Sequence, residues 1–185
     1  MERKLMIAPS MGCCDLFDME RQVRIIDEKS DFLHMDIKDG VYVPSFGIGP
    51  EFLAALKDKV STPMDAHLMI KHPQQYLETF AKAGAAYITP HTDCIEGDAF
   101  VTINKIKELG CKAGIALNPS VPLETIEGLD FLIEADGSMN RDVYRPLYEA
   151  GADMVVLGPP ALWNKADDFE EAWAIMENEL ESELN

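Results

Sequence analysis

Two histidines and two aspartates stand where one metal ion could use them. The apolar run Phe32-Leu33-His34-Met35-Asp36 carries a histidine and an aspartate two residues apart, and Met64-Asp65-Ala66-His67-Leu68-Met69 carries a second histidine. A third run, Phe131-Leu132-Ile133-Glu134-Ala135-Asp136-Gly137, ends in a carboxylate before glycine. In a strand, residues two apart point to the same face, so His34 and Asp36 can reach one ion while Met35 packs behind them. Imidazoles and carboxylates together suit a divalent cation such as zinc, iron, manganese or cobalt. A lone strand-end histidine is as often a hydrogen-bonded core residue. Two of them, one beside an i+2 aspartate, are costly to bury unless a cation compensates them. Asp36, inside an apolar strand, ranks above Asp136, which could simply prepare the Gly137 turn; Asp39, before Gly40, reads as a turn aspartate. His72 and His91 stand in loop contexts beside Pro73 and Pro90, which favours surface or supporting roles.

Elements must bring these residues together. Strand-like runs fall near Lys4 to Ala8, Asp31 to Asp36, Met64 to Met69, Ala86 to Pro90, Lys112 to Leu117, Phe131 to Ala135 and Asp153 to Leu157. Amphipathic stretches alternate with them, the clearest being Asp15 to Lys29, Pro73 to Ala83, Asp98 to Leu109, Arg141 to Ala150 and Asp168 to Leu180. Repeated strand and helix units imply a parallel sheet buried on both faces. No glycine fingerprint of a nucleotide-binding crossover follows the first strand, and the polar candidates gather at the C-terminal ends of several strands. That is how a (β/α) barrel builds its active site.

With 185 residues and 47% apolar composition, the chain is expected to form a single domain over residues 1 to 185. Sixteen basic against 33 acidic residues give a formal charge of -17, which disfavours nucleic acid and anionic membrane surfaces as partners. An anionic substrate would then depend on a bound cation and on helix N-termini. Neither a signal peptide nor an 18-residue apolar stretch is apparent, and Cys13, Cys14, Cys94 and Cys111 lack zinc-ribbon spacing and disulfide density, so a reducing, cytoplasmic setting is expected.

The motifs Ala8-Pro9-Ser10, His34-Met35-Asp36-Ile37-Lys38-Asp39-Gly40-Val41-Tyr42-Val43-Pro44, Asp65-Ala66-His67-Leu68-Met69, Leu117-Asn118-Pro119 and Glu134-Ala135-Asp136-Gly137 span nearly the whole chain. In these the chain resembles the ribulose-phosphate 3-epimerase family of ketose-phosphate 3-epimerases. The resemblance implies a ribulose-phosphate-binding barrel of (β/α)8 type and a divalent metal held by His34, Asp36, His67 and Asp136. Zinc comes first, with iron, manganese, cobalt or magnesium as alternatives. It further implies Asp36 and Asp136 as the acid-base pair, and Ser10, His67, Gly137, Ser138 and Gly158 as substrate contacts. The substrate is then a phosphorylated ketose, and the assembly a homo-oligomer.

Ile95-Glu96-Gly97-Asp98-Ala99-Phe100, Asp136-Gly137-Ser138-Met139-Asn140 and Leu162-Trp163-Asn164 resemble the D-allulose-6-phosphate 3-epimerases. These stretches favour conversion of D-allulose 6-phosphate to D-fructose 6-phosphate by proton transfer through a 2,3-enediolate. The alternatives are D-ribulose 5-phosphate to D-xylulose 5-phosphate, or a catalytically silent metal- and sugar-phosphate-binding barrel. A decarboxylase reading of Asp36-Ile37-Lys38-Asp39 fails on spacing. Two departures from the family pattern stand out. One βα unit, strand 6 and helix 6, is expected to be missing between Asp130 and Phe131. At Gly158-Pro159-Pro160 two prolines withhold backbone donors that a phosphate would use.

Overall fold

The structure, a computed structural model, describes residues 4–95, 97–118 and 132–184. The chain divides into two compact units, His34–Leu129 and Met1–Leu33 with Asp130–Asn185. Each carries its own sheet. Strands β1 (Met6–Pro9), β2 (Leu33–Lys38), β3 (Met64–Met69), β4 (Tyr87–Pro90), β5 (Lys112–Ala113), β6 (Glu134–Ala135) and β7 (Met154–Leu157) alternate with helices α1 (Met19–Lys29), α2 (Pro50–Leu56), α3 (Leu77–Ala83), α4 (Ala99–Glu108), α5 (Arg141–Ala150) and α6 (Phe169–Leu184).

In the continuous unit the strand order is β2-β3-β4-β5. β3 pairs parallel with β4, setting His67 beside Thr89, and β4 pairs parallel with β5. Leu33, Met35 and Ile37 of β2 and Ala66 and Leu68 of β3 are all buried, and so are His34, Asp65 and His67 on the alternate positions. Burial on both faces is why these strands read as nearly unbroken apolar runs. Each large apolar side chain so buried contributes about 1.5–3 kcal/mol, against which the polar row must find its own partners.

β5 stops at Ala113, short of the Leu117 expected from the sequence. Gly114 N still donates to the Ile88 carbonyl at 3.0 Å and Ala116 N to the Pro90 carbonyl at 2.9 Å, but Pro90 has no N–H with which to return a bond, and pairing is next complete at the bridge between His91 and Ala116. At Gly114 an added Cβ would stand 2.3 Å from Thr89 Oγ1, so the Thr89 side chain fills the space beside it. α2 was not among the helices named from the sequence. It begins with Pro50 in its first turn and buries only Leu53 and Leu56, too few apolar positions for a clear period.

In the discontinuous unit the order is β1-β7-β6, all parallel, with Met6 to Pro9 in register with Met154 to Leu157. Residues Ser10, Asp136 and Gly158 therefore follow the C-terminal ends of three neighbouring strands. α1 starts at Met19 and not at Asp15, because the Asp15 carboxylate accepts the Phe17 N–H at 2.9 Å and closes a turn of its own. α1 ends where the Ser30 hydroxyl donates to the Ile26 carbonyl at 2.7 Å. α5 is capped by Asn140, whose side chain accepts from Asp142 N, and ends at Gly151 with φ 105°. α6 starts after Asp168, which accepts the N–H groups of Glu170 and Glu171. Phe131, the expected first residue of β6, lies outside the described residues, and pairing with β7 begins at Glu134. Pro119 of the Leu117-Asn118-Pro119 motif, Glu96 and the junction at Asp130 likewise lie outside them.

Candidate metal centre and active site

β2 and β3 hold the candidate metal ligands. Alternation puts His34 and Asp36 on one face of β2, and Asp65 and His67 on one face of β3. His34 Nε2 lies 3.3 Å from His67 Nδ1, and Asp36 Oδ1 lies 3.6 Å from each of these two nitrogens. Three donor atoms thus form a near-equilateral triangle. Ligand atoms held about 2.1 Å from a tetrahedral ion stand about 3.4 Å apart, so the triangle has the span such an ion requires. Burial strengthens the case, because His34 is 1% and His67 7% exposed, and a cation would satisfy nitrogens that water does not reach.

Each imidazole is also engaged through its other nitrogen. His34 Nδ1 lies 3.3 Å from Asp65 Oδ2, and Asp65 Oδ1 accepts the Thr89 hydroxyl at 2.8 Å. Burial pushes the Asp65 carboxyl up, but the hydrogen bond and charge of His34, together with the Thr89 hydroxyl, outweigh it and hold the group below the ordinary carboxylate range. Asp65 is therefore an ionised acceptor that orients His34. His67 Nε2 lies 2.9 Å from His91 Nε2. Sequence reasoning passed over Asp65 as a site residue, although Asp65-Ala66-His67 repeats the i, i+2 pattern of His34-Met35-Asp36. His91, expected at the surface or in a supporting position, is 7% exposed and stands with His67.

The loop after β2 is fixed by Asp39. Its Oδ1 accepts the N–H groups of Val41 and Tyr42 and its Oδ2 that of Lys71, each at 2.8 Å, which bears out the turn reading and adds a tie to the loop after β3. Gly47 N donates to the Lys38 carbonyl at 3.2 Å, and no side chain fits at Gly47, since a Cβ would stand 2.2 Å from the Asp36 carbonyl oxygen.

The remaining expected residues belong to the discontinuous unit. Asp136 follows β6, is exposed, and accepts the Gly137 N–H through Oδ1 at 2.7 Å. That donor is thus directed at Asp136. Gly137 and Ser138 both take left-handed backbone, with φ 105° and 54°, the latter uncommon for a residue with a side chain. Ser10 follows β1, is 3% exposed, and donates its backbone N–H to Leu157 O. Gly158 follows β7, and its carbonyl accepts from Ala161 N and Leu162 N. Cys14 offers no nucleophile: burial, and then its neighbour Cys13, push its thiol up to about 12. No disulfide joins any of the described cysteines. No helix among the described residues is long and apolar enough to cross a membrane.

A profile described as the Ribulose-phosphate 3 epimerase family matches residues 6–129. The chain is similar to the ribulose-phosphate 3-epimerase of Synechocystis sp., with 32% identity over 96% of this chain and 95% of that protein. It is also similar to the ribulose-phosphate 3-epimerase of Bacillus subtilis, with 29% identity over 87% of this chain and 93% of that one. The Synechocystis alignment runs over 224 positions against 185 residues here, so part of that relative has no counterpart in this chain. The profile match stops at residue 129, beside the point where a βα unit is expected to be missing.

Among solved structures, the chain resembles KGPDC from Streptococcus mutans, with TM-score 0.75 and 9% identity over 98% of this chain and all of that one. It also resembles 3-hexulose-6-phosphate synthase from Salmonella typhimurium, with TM-score 0.70 and 14% identity over 97% of this chain and all of that one. At such identities the likeness shows the fold, a (β/α) barrel.

Proposed function

Since the chain belongs to the ribulose-phosphate 3-epimerase family, an isomerase family that acts on phosphorylated ketoses with the help of a divalent metal, we propose that it inverts carbon 3 of D-ribulose 5-phosphate to give D-xylulose 5-phosphate. The observation that carries this reading is the triangle of His34, Asp36 and His67 donor atoms, a candidate cation site on buried strands. The relatives named above are ribulose-phosphate epimerases, so the pentose takes precedence over the D-allulose 6-phosphate favoured by sequence detail.

A divalent cation held by His34, Asp36 and His67 would polarise the ketone and stabilise negative charge developing on the substrate oxygens. Everything else falls to side chains. With Oδ1 of Asp36 turned to the two histidines, Oδ2 is the atom that takes the proton from carbon 3. Asp136 returns a proton to the opposite face, and the two exchange roles in the reverse direction. Ser10, Gly137, Ser138 and Gly158, at the ends of β1, β6 and β7, are the proposed contacts to the sugar phosphate. Zinc is the proposed ion, since the triangle's edges match a tetrahedral site; an octahedral ion at similar ligand distance would draw its ligands closer, to about 3.0 Å.

D-Allulose 6-phosphate is kept as the second substrate to test, on the resemblance of Asp136-Gly137-Ser138-Met139-Asn140 to the hexose-phosphate enzymes. The test is epimerisation of both ketose phosphates by the metal-loaded protein, with solvent deuterium followed into carbon 3. Turnover and exchange, both lost in Asp36→Asn and in Asp136→Asn, are expected. Zinc binding with neither turnover nor exchange would instead establish a silent binding protein.

A further inference from the structure

The third histidine of the row has no place in the chemistry above. His91 follows β4, and its backbone is held on both sides by Ala116: Ala116 N donates to the Pro90 carbonyl at 2.9 Å and Thr92 N to the Ala116 carbonyl at 3.0 Å. Its ring stacks on that of His67, with centroids 5.0 Å apart and an interplanar angle of 24°, and the two Nε2 atoms face each other at 2.9 Å. Tyr42 lies against the same imidazole at 5.0 Å between centroids. The Tyr42 hydroxyl is itself pinned, donating to Asp93 at 3.0 Å and accepting from Asn118 Nδ2 at 2.9 Å. So placed, the His91 ring is a fixed partner for His67.

We propose that His91 is a positioning residue that sets the tautomer of His67. A neutral imidazole has one N–H donor and one acceptor nitrogen, and two such nitrogens 2.9 Å apart share a single proton. If Nδ1 of His67 is to offer a lone pair toward His34 and Asp36, the His67 proton must sit on Nε2 and His91 must accept it. His91 then carries its own proton on Nδ1. The inference rests on the reading of His34, Asp36 and His67 as cation ligands, and extends it. β2 and β3 supply both histidine ligands, but their orienters differ in kind: an ionised carboxylate, Asp65, for His34, and a neutral imidazole for His67. A neutral acceptor adds no negative charge beside the ligand, whereas Asp65 does.

Two measurements test this. Two-bond proton–nitrogen correlation spectra of the zinc-loaded wild type report which ring nitrogen of His91 is protonated; Nδ1 is expected, with Nε2 accepting from His67, and a proton on Nε2 of His91 would overturn the proposal without any substitution. Zinc affinity, measured by chelator competition, is expected to fall about 10- to 100-fold in His91→Leu, with His67 now distributed over both tautomers. His91→Gln, whose side-chain carbonyl can accept the same proton, is expected to recover most of the loss. A folded His91→Leu protein with wild-type zinc affinity would also overturn the proposal. If His91→Leu does not fold, His91→Gln and the wild-type spectrum decide. His34→Ala serves as the control: if it binds zinc as tightly as wild type, the ligand set itself is wrong and the proposal falls with it. Loss confined to His34→Ala, with His91→Leu unaffected, refutes the role of His91 alone.

Discussion

Replacing Asp65 with asparagine separates orientation of the metal site from construction of the core. The carboxylate is 4% exposed and makes two contacts, His34 Nδ1 at 3.3 Å and the Thr89 hydroxyl at 2.8 Å. An amide of the same shape keeps an oxygen for His34 and an NH2 group for Thr89, so packing survives and only the charge is lost. A hydrogen bond to an ionised acceptor contributes about 1.5–3 kcal/mol and one between neutral groups about 0.5–1.5, a difference of about 1–1.5 kcal/mol. Since about 1.4 kcal/mol corresponds to tenfold in an equilibrium constant, zinc should bind about tenfold more weakly to Asp65→Asn. Asp65→Ala goes further, because it leaves the buried His34 N–H and Thr89 hydroxyl without that acceptor, at about 1–3 kcal/mol of stability each. Chelator-competition titration reads the affinity, and urea unfolding of the metal-free proteins reads the stability. Wild-type zinc affinity in a folded Asp65→Asn protein would refute the claim that Asp65 orients a metal ligand.

Gly114→Ala should act on the same row from a distance, since its new methyl displaces the Thr89 hydroxyl from Asp65; a stability loss of about 1–3 kcal/mol, accompanied by weaker zinc binding, is expected in urea and chelator titrations. Removing the metal should lower the thermal midpoint of wild type: about 2.7 kcal/mol is lost when a ligand present at a hundred times its dissociation constant is withdrawn, and His34→Ala should show no such chelator-dependent shift. Asp168 is held below the ordinary carboxylate value of 3.8 by the N–H of Glu171, with Arg21 and the Glu170 N–H adding to this. A depressed carboxyl contributes stability that is full above the unfolded value and is lost as pH falls through the lower folded one. The gap in urea midpoint between wild type and Asp168→Ala should therefore be widest near neutral pH and close on acidification below that value; a gap that widens in acid would contradict the assignment.

The candidate metal ligands were legible because strand alternation is a strict rule: His34 and Asp36 two apart, on an apolar run, had to share a face. Asp65 obeyed the same rule but was hidden by its neighbour, since one polar residue on a strand attracts notice and the next resembles the strand's edge. His91 was legible only as a surface or supporting residue, because its place beside His67 depends on how β4 sits against β3 and on a residue after Pro90 turning inward. The end of β5 was misjudged because its ladder lacks a donor on the neighbouring strand, where Pro90 has no N–H. Helix starts were misjudged where a carboxylate closes its own turn, as Asp15 does. The substrate turned on Ser138 and its neighbours, a few residues whose conformation says little about sugar length, whereas similarity along the chain favours the pentose.

The division of the chain into one continuous and one discontinuous unit also fixes an order of synthesis. β2, β3, β4 and β5, with both histidine ligands, Asp65 and His91, are complete once the ribosome has released the residues up to Ala116. β1, although made first, pairs among the described residues with β7, whose last residue is Leu157. The first strand to emerge can bond through Ile7 to Asp31 and Phe32 early, but its parallel partner β7 comes only after nearly the whole chain, while the half that carries the candidate cation ligands can pair its strands as they appear.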